Sequence, residues 1–182
     1  MSDLKHIIIF LVFSLCWVLP AGRPITPEDI VNIQYVSDAV ISPDGNNVAF
    51  VLIVPRSEDE DPGLSHSEIW IKRKGDPRSR RYTSKTFDSY SPGWSTDGKK
   101  ITFLSDRDSK KSGTKIYTIA ADGGEADVLL EHPTGISSYK LSPDGKWIAF
   151  LSTDSISGDR TKKMKKGYDM IVMDELHRYN RI

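Results

Sequence analysis

The sequence predicts an all-β fold built from repeats, and three observations carry that prediction. The first is a ten-residue phrase written three times: ISPDGNNVAF at 41–50, WSTDGKKITF at 94–103 and LSPDGKWIAF at 141–150. The second is its spacing, 53 positions from Ser42 to Ser95 and 47 from Ser95 to Ser142. Self-similarity at a fixed period of this size marks a repeat architecture. The third is what surrounds each phrase: further β-branched and aromatic runs bring each repeat to about four strands. Four short strands per repeat make a β-propeller blade, so the chain reads as a partial β-propeller of about three blades.

The N-terminus stands apart. Lys5 and His6 precede an apolar run at 7–19, followed by Pro20-Ala21-Gly22. That is the layout of a signal peptide over residues 1–22. The run has 13 residues, short of a membrane span, which needs roughly 20. Cleavage is expected near Ala21 or Gly22, although the residue three positions before either cut is not small. The only cysteine, Cys16, lies inside this segment, and Leu15 before it does not suit a lipoprotein signal. Export to a secreted or periplasmic location is the expectation, with no cysteine in the mature chain.

Residues 23–36 form an N-terminal helical segment on this reading. Thr26 suits an N-cap, Pro27 the first helical position, and Glu28 and Asp29 the positive end of the helix. A short helix from about Pro27 to Ile33 follows.

The propeller then occupies 37–182, with blades at about 37–84, 87–133 and 136–182, the last incomplete. In each copy of the phrase a hydrophobic residue ends one strand and a tight turn starts the next. Pro43 or Pro143 pre-sets φ for the second turn position. Asp44, Asp97 or Asp144 bonds nearby backbone amides, and Gly45, Gly98 or Gly145 takes a positive φ. Ser42, Ser95 and Ser142 complete the motif. After the turn come Val48-Ala49-Phe50-Val51, Ile101-Thr102-Phe103-Leu104 and Ile148-Ala149-Phe150-Leu151, which read as buried strands. The next strands are Glu68-Ile69-Trp70-Ile71 in the first copy and 115–119 in the second. The second copy goes on through Ala121-Asp122-Gly123-Gly124 to 127–130. In the third copy either 169–173 or Asn180-Arg181-Ile182 takes the next place. The second option is preferred, and on it the chain stops within a strand.

Composition limits function. With 25 basic and 25 acidic side chains the net charge is zero, which argues against an electrostatic nucleic-acid binder. A nucleophile elbow needs Gly-x-Ser-x-Gly. The nearest string, Gly135-Ile136-Ser137-Ser138-Tyr139, lacks the second glycine and falls at the start of a strand, so it reads as structural. His6, His66, His132 and His177 show no metal-ligand spacing. The acidic loop at 57–63 lacks the alternating acids and closing Glu of a calcium loop and reads as solvated. Five basic residues at 160–166 read as a charged insertion. Asp174-Glu175 is an acidic pair of the kind that captures a peptide amino terminus, without a neighbour that supports the role.

A resemblance enters at the start of the mature chain. Pro27-Glu28-Asp29-Ile30, Val36-Ser37-Asp38 and Ser42-Pro43-Asp44-Gly45 resemble the opening of the propeller domain in the prolyl oligopeptidase family of serine peptidases, in its acylaminoacyl-peptidase and dipeptidyl-peptidase branch. The segment at 165–182 is similar to an insertion of that branch. The Ser-Pro-Asp-Gly hairpin alone also fits TolB-like propellers. The resemblance covers about residues 23–182. It implies a propeller that gates short peptides into an α/β-hydrolase domain carrying Ser, Asp and His. That domain is missing from this chain, no position matches the triad, and no cofactor is implied. A non-catalytic TolB-like periplasmic binding module is the alternative. Three blades leave a first and a last face uncovered, so self-association through open edges is expected.

Overall fold

The structure, a computed structural model, describes residues 22–107, 113–154, 162, 165–166 and 180–181. Residues 1–21 of the signal segment therefore lie outside the described residues, as do 169–173, Asp174, Glu175 and His177, and with them His6 and Cys16. Contacts divide the chain into two units, Met1–Asn32 and Ile33–Ile182.

In the first unit, α1 spans Pro27–Val31. Thr26 caps it through a reciprocal box: the Asp29 amide donates to Thr26 Oγ1 at 3.3 Å, and the Thr26 amide donates to Asp29 Oδ2 at 2.8 Å. Arg23 pairs with Asp29 and holds that carboxyl down at about 2, ahead of the backbone bond from Thr26. The helix stops earlier than the sequence suggests. Asn32 turns its side-chain amide back to the Glu28 carbonyl at 2.8 Å. A side chain that competes for a helical carbonyl in this way ends a helix.

The second unit holds three antiparallel sheets in chain order. Sheet 1 is β1 (Tyr35–Ile41), β2 (Asn47–Val54), β3 (His66–Arg73) and β4 (Ser79–Arg81). Sheet 2 is β5 (Ser89–Trp94), β6 (Lys100–Ser105), β7 (Lys115–Ala120) and β8 (Asp127–Leu130). Sheet 3 is β9 (Ser138–Leu141), β10 (Ile148–Thr153) and β11 (Asn180–Arg181). Every strand pairs with its neighbour in sequence. The third sheet takes its next strand from Asn180-Arg181, which pairs with Ser152 and Thr153.

The core explains the repeated phrase. A period-2 strand sends alternate side chains to opposite faces. In β6, Ile101 and Phe103 pack toward sheet 1, in one cluster with Ala49, Val51, Ile69 and Ile71. Leu104 packs the other way, in a cluster with Ile136 and Tyr139 of the third repeat. Ile148 and Phe150, the counterparts of Ile101 and Phe103, pack against that second cluster. So in each repeat the Ile/Val and Phe positions face backward, and the Ala/Thr and Val/Leu positions face forward.

Sheet 2 is thus covered on both faces, and residues 101–104 are all buried. The other two runs depart from the expectation of full burial. Val48 and Phe50 are half-buried, while Ala149 is exposed although Ala49 is 0% exposed. Their sheets are covered on one face only by described residues.

Candidate functional site

The three turns share one hydrogen-bond pattern. In each, the glycine amide donates to the carbonyl of the serine at 2.9 Å: Gly45 to Ser42, Gly98 to Ser95 and Gly145 to Ser142. Their φ values of 70°, 67° and 71° lie in the left-handed region that glycine tolerates. Each serine hydroxyl donates to its aspartate, at 2.5 Å for Asp44, 2.6 Å for Asp97 and 2.6 Å for Asp144. The same oxygen accepts an amide two residues on, from Asn46, Lys99 and Lys146. The serine hydroxyl, first, and that amide hold all three carboxyls below their usual range. The carboxylates are consumed by their own turns. This arrangement builds hairpins and leaves little for a ligand.

Neighbouring turns touch. A side chain at Gly98 would meet Pro43 at 3.7 Å, and one at Gly145 would meet Thr96 Oγ1 at 2.7 Å. The motif residues of consecutive repeats therefore form one row along one end of the sheets.

The seams between sheets hold the residues that sequence reading missed. Between sheets 1 and 2, Trp94 Nε1 donates to the Val40 carbonyl at 3.1 Å. Tyr82 Oη donates to the Ala121 carbonyl at 2.8 Å, and Arg73 Nη2 reaches the same oxygen at 3.0 Å. Asp88, in the connection between the sheets, accepts both the amide and the hydroxyl of Ser67. Between sheets 2 and 3, the Tyr139 hydroxyl lies 3.0 Å from the Ser91 carbonyl oxygen and 2.8 Å from Thr102 Oγ1.

A bulge in β5 makes room for that hydroxyl. The register shifts between Tyr90 and Gly93, and Ser91 takes a φ of 51°. A Cβ on Gly93 would sit 3.0 Å from Thr102 Oγ1 and 3.3 Å from Tyr139 Oη. Burial, with the Asp38 charge adding to it, pushes the Tyr139 phenol up to about 12. The only sequence signal for this latch was the Pro92-Gly93 pair inside a strand pattern, which marks a bulge or a close approach.

The other sequence candidates resolve as local structure. Ser137 Oγ donates to the Leu151 carbonyl at 3.1 Å, just before β9. In the acidic loop, Glu60 meets His66 at 3.0 Å and Lys85 at 3.5 Å. The His66 side chain, first, holds the Glu60 carboxyl low. His132 Nδ1 lies 2.9 Å from Thr134 Oγ1, and its ring packs 5.8 Å from that of Phe150. No group of three or more candidate metal ligands forms among the described residues. Of the basic stretch, Lys162, Lys165 and Lys166 are described and exposed. Among the described residues no helix is long and apolar enough to cross a membrane.

Comparison with solved structures decides the fold. The β-propeller domain of the Trilobed protease from Pyrococcus furiosus superposes with a TM-score of 0.50 at 23% identity, covering 65% of this chain and 34% of that one. A TolB-type protein from Agrobacterium tumefaciens gives 0.51 at 23% identity, covering 70% and 41%. The chain is a partial β-propeller. By sequence it is similar to the uncharacterized peptidase YuxL of Bacillus subtilis (strain 168), 32% identical over 155 residues, which is 84% of this chain and 23% of that protein. It is also similar to dipeptidyl-peptidase 5 of Porphyromonas gingivalis (strain ATCC 33277), 26% identical over 162 residues, or 87% and 23%. The chain spans under a quarter of the length of these relatives. No family model matches it.

Proposed function

We propose that this partial propeller is the gating portion of an exported serine peptidase of the prolyl oligopeptidase family that acts on short peptides. The observation that carries the reading is sequence similarity to a peptidase along 84% of the chain, a segment amounting to 23% of that relative. The partner of the propeller is then an α/β-hydrolase domain. The propeller's work is to restrict access, so its seams have to hold: Trp94, Tyr82, Arg73 and Tyr139 tie one sheet to the next.

The test is to express the gene product through any reading frame beyond Ile182 and assay it. Release of dipeptides or acylated residues from short peptides, with folded protein substrates spared, is the expected result. Equal cleavage of intact folded protein removes the gating role. Absence of peptidase activity, with binding to a protein partner instead, favours the TolB-like module. That second reading rests on the superposition with the TolB-type protein, which is as good as that with the protease propeller. N-terminal sequencing of the exported product checks the expected cut near Ala21 or Gly22.

The chain on its own is proposed to self-associate through its outer sheet faces. Val36 and Ile41 of sheet 1 are 54% and 65% exposed, and such apolar surface favours association. Light scattering of the 182-residue chain is expected to show concentration-dependent oligomers. A monodisperse monomer that melts cooperatively overturns this.

A further inference from the structure

A groove follows the seam between sheets 1 and 2. Its first stretch, about 560 Å³, is lined by Arg73, Lys99 and Lys100 and ends at Asp122. The second, about 250 Å³, shares Asp122 and brings in Arg80, Arg81 and Tyr82. The third, about 300 Å³, shares Tyr82, Ile119 and Gly124 with the second and adds Phe87, Arg107 and Glu125. Six cationic side chains thus line three adjoining depressions, against the two acids Asp122 and Glu125. The whole chain is neutral, with 25 charges of each sign. The excess is local.

These cations are short of partners. Of these six, Arg81 alone lies within ion-pair distance of a described carboxylate, that of Glu68 at 3.4 Å, and Lys99 also feels the charge of Asp97. Arg73 spends one nitrogen on the Ala121 carbonyl. Arg107 is the most telling. Its guanidinium carbon sits 4.7 Å from the centre of the Tyr117 ring and 5.7 Å from that of Phe103. Stacking on aromatic faces is a stable seat for a guanidinium and leaves its in-plane N–H groups to bind. Its Nε is buried and has no hydrogen-bond partner among the described residues. A buried nitrogen is closed to a ligand, so contact with one falls to the terminal nitrogens of the guanidinium. A carboxylate is the acceptor that a guanidinium matches, through two parallel bonds.

We infer that this groove binds an extended acidic peptide segment, with Arg107 as the anchor for one carboxylate and Arg80, Lys99 and Lys100 steering the rest. A single small anion would meet one stretch and leave the other two unused. A uniformly charged polyphosphate or nucleic acid would be repelled at Asp122 and Glu125. It would also gain nothing from Ala126 and Phe87, which is 38% exposed. A peptide alternates side chains every residue, so it can place carboxylates on the cations and apolar groups between them.

Fluorescence anisotropy on the full chain tests this with three labelled octapeptides that differ only at alternate positions: Glu, Gln or Lys. The Glu peptide is expected to bind about tenfold or more tighter than the Gln peptide, and to weaken about tenfold as salt is raised into the range that screens surface charge. R80E and K99E, both on exposed side chains, are expected to lower Glu-peptide affinity about tenfold with the melting temperature unchanged. R107Q is expected to lower it at least as much. K140E, an exposed cation on sheet 3, is expected to change nothing and serves as the control. Equal binding of Glu and Gln peptides overturns the inference. So does an equal loss in K140E, which would mean diffuse attraction. Polyphosphate that binds tightly where the Glu peptide does not overturns it in favour of a phosphate polymer.

Discussion

Tyr139 shows how one side chain can join two repeats. Its ring belongs to the cluster between sheets 2 and 3, and its hydroxyl enters the β5 bulge opposite Gly93. Replacing it with phenylalanine keeps the ring and strands the Ser91 carbonyl, while the Thr102 hydroxyl keeps the Gly93 carbonyl as its partner. The expected cost is about 1–2 kcal/mol, read as a lower midpoint in urea. The pH dependence has a definite sign. The folded phenol titrates at about 12, and an unfolded one near ~10. A raised folded value means that the unfolded chain loses its proton first. The stabilisation is therefore full below the unfolded value and lost as pH rises from about 10 toward 12. Urea midpoints of the parent are expected to fall across that window, and those of Tyr139→Phe to fall less. Parallel curves sink the assignment. Gly93 sits in β5, but what it makes room for lies 46 residues away in the chain, and no local pattern carries that.

At the scale of the element, turns and strands differ in how far they can be read in advance. The Ser-x-Asp-Gly turn closes its own bonds within six residues, from Ser42 to Asn47, so its geometry is written in local spacing. The helix was legible at its start, where Thr26, Pro27 and Asp29 are neighbours, and less so at its end, where the Asn32 side chain decided. Strand burial is different. Phe50, Phe103 and Phe150 occupy the same place in the phrase, yet only Phe103 is 0% exposed. Cavity energetics give an order for their loss. Phe103→Ala is expected to cost about 3–5 kcal/mol, while Phe50→Ala, already half in solvent, is expected to cost about 1 kcal/mol. Thermal or urea unfolding of the two variants checks this. Equal effects would show that both faces of sheet 1 are covered in solution.

For the whole molecule, the packing rule is directional. Each repeat offers Ala/Thr and Val/Leu forward and receives on Ile/Val and Phe, so sheets stack in chain order and each interface uses two different faces. Interfaces of this head-to-tail kind propagate until they close or are capped. This is the physical ground for expecting self-association of the isolated chain, and for giving the proposed hydrolase partner a propeller to sit on. The same stacking creates the groove. Arg73, Arg80 and Arg81 come from sheet 1, Lys99, Lys100 and Arg107 from sheet 2, and only docking sets them along one seam.

The sequence by itself determined the all-β class, the three repeats, the hairpin turns with their Ser, Asp and Gly, and most of the strand order, with β4 unread and Asn180-Arg181 preferred over 169–173 for the last place. These rest on contacts between residues close in the chain, where φ preferences and side-chain period act directly. Only the tertiary structure decided which face of each strand is covered, that Tyr139 reaches Ser91, and that six scattered cations line one groove. Those outcomes depend on which sheet docks against which. Docking is set by summed surface complementarity between segments about 50 residues apart, which no short window of sequence contains.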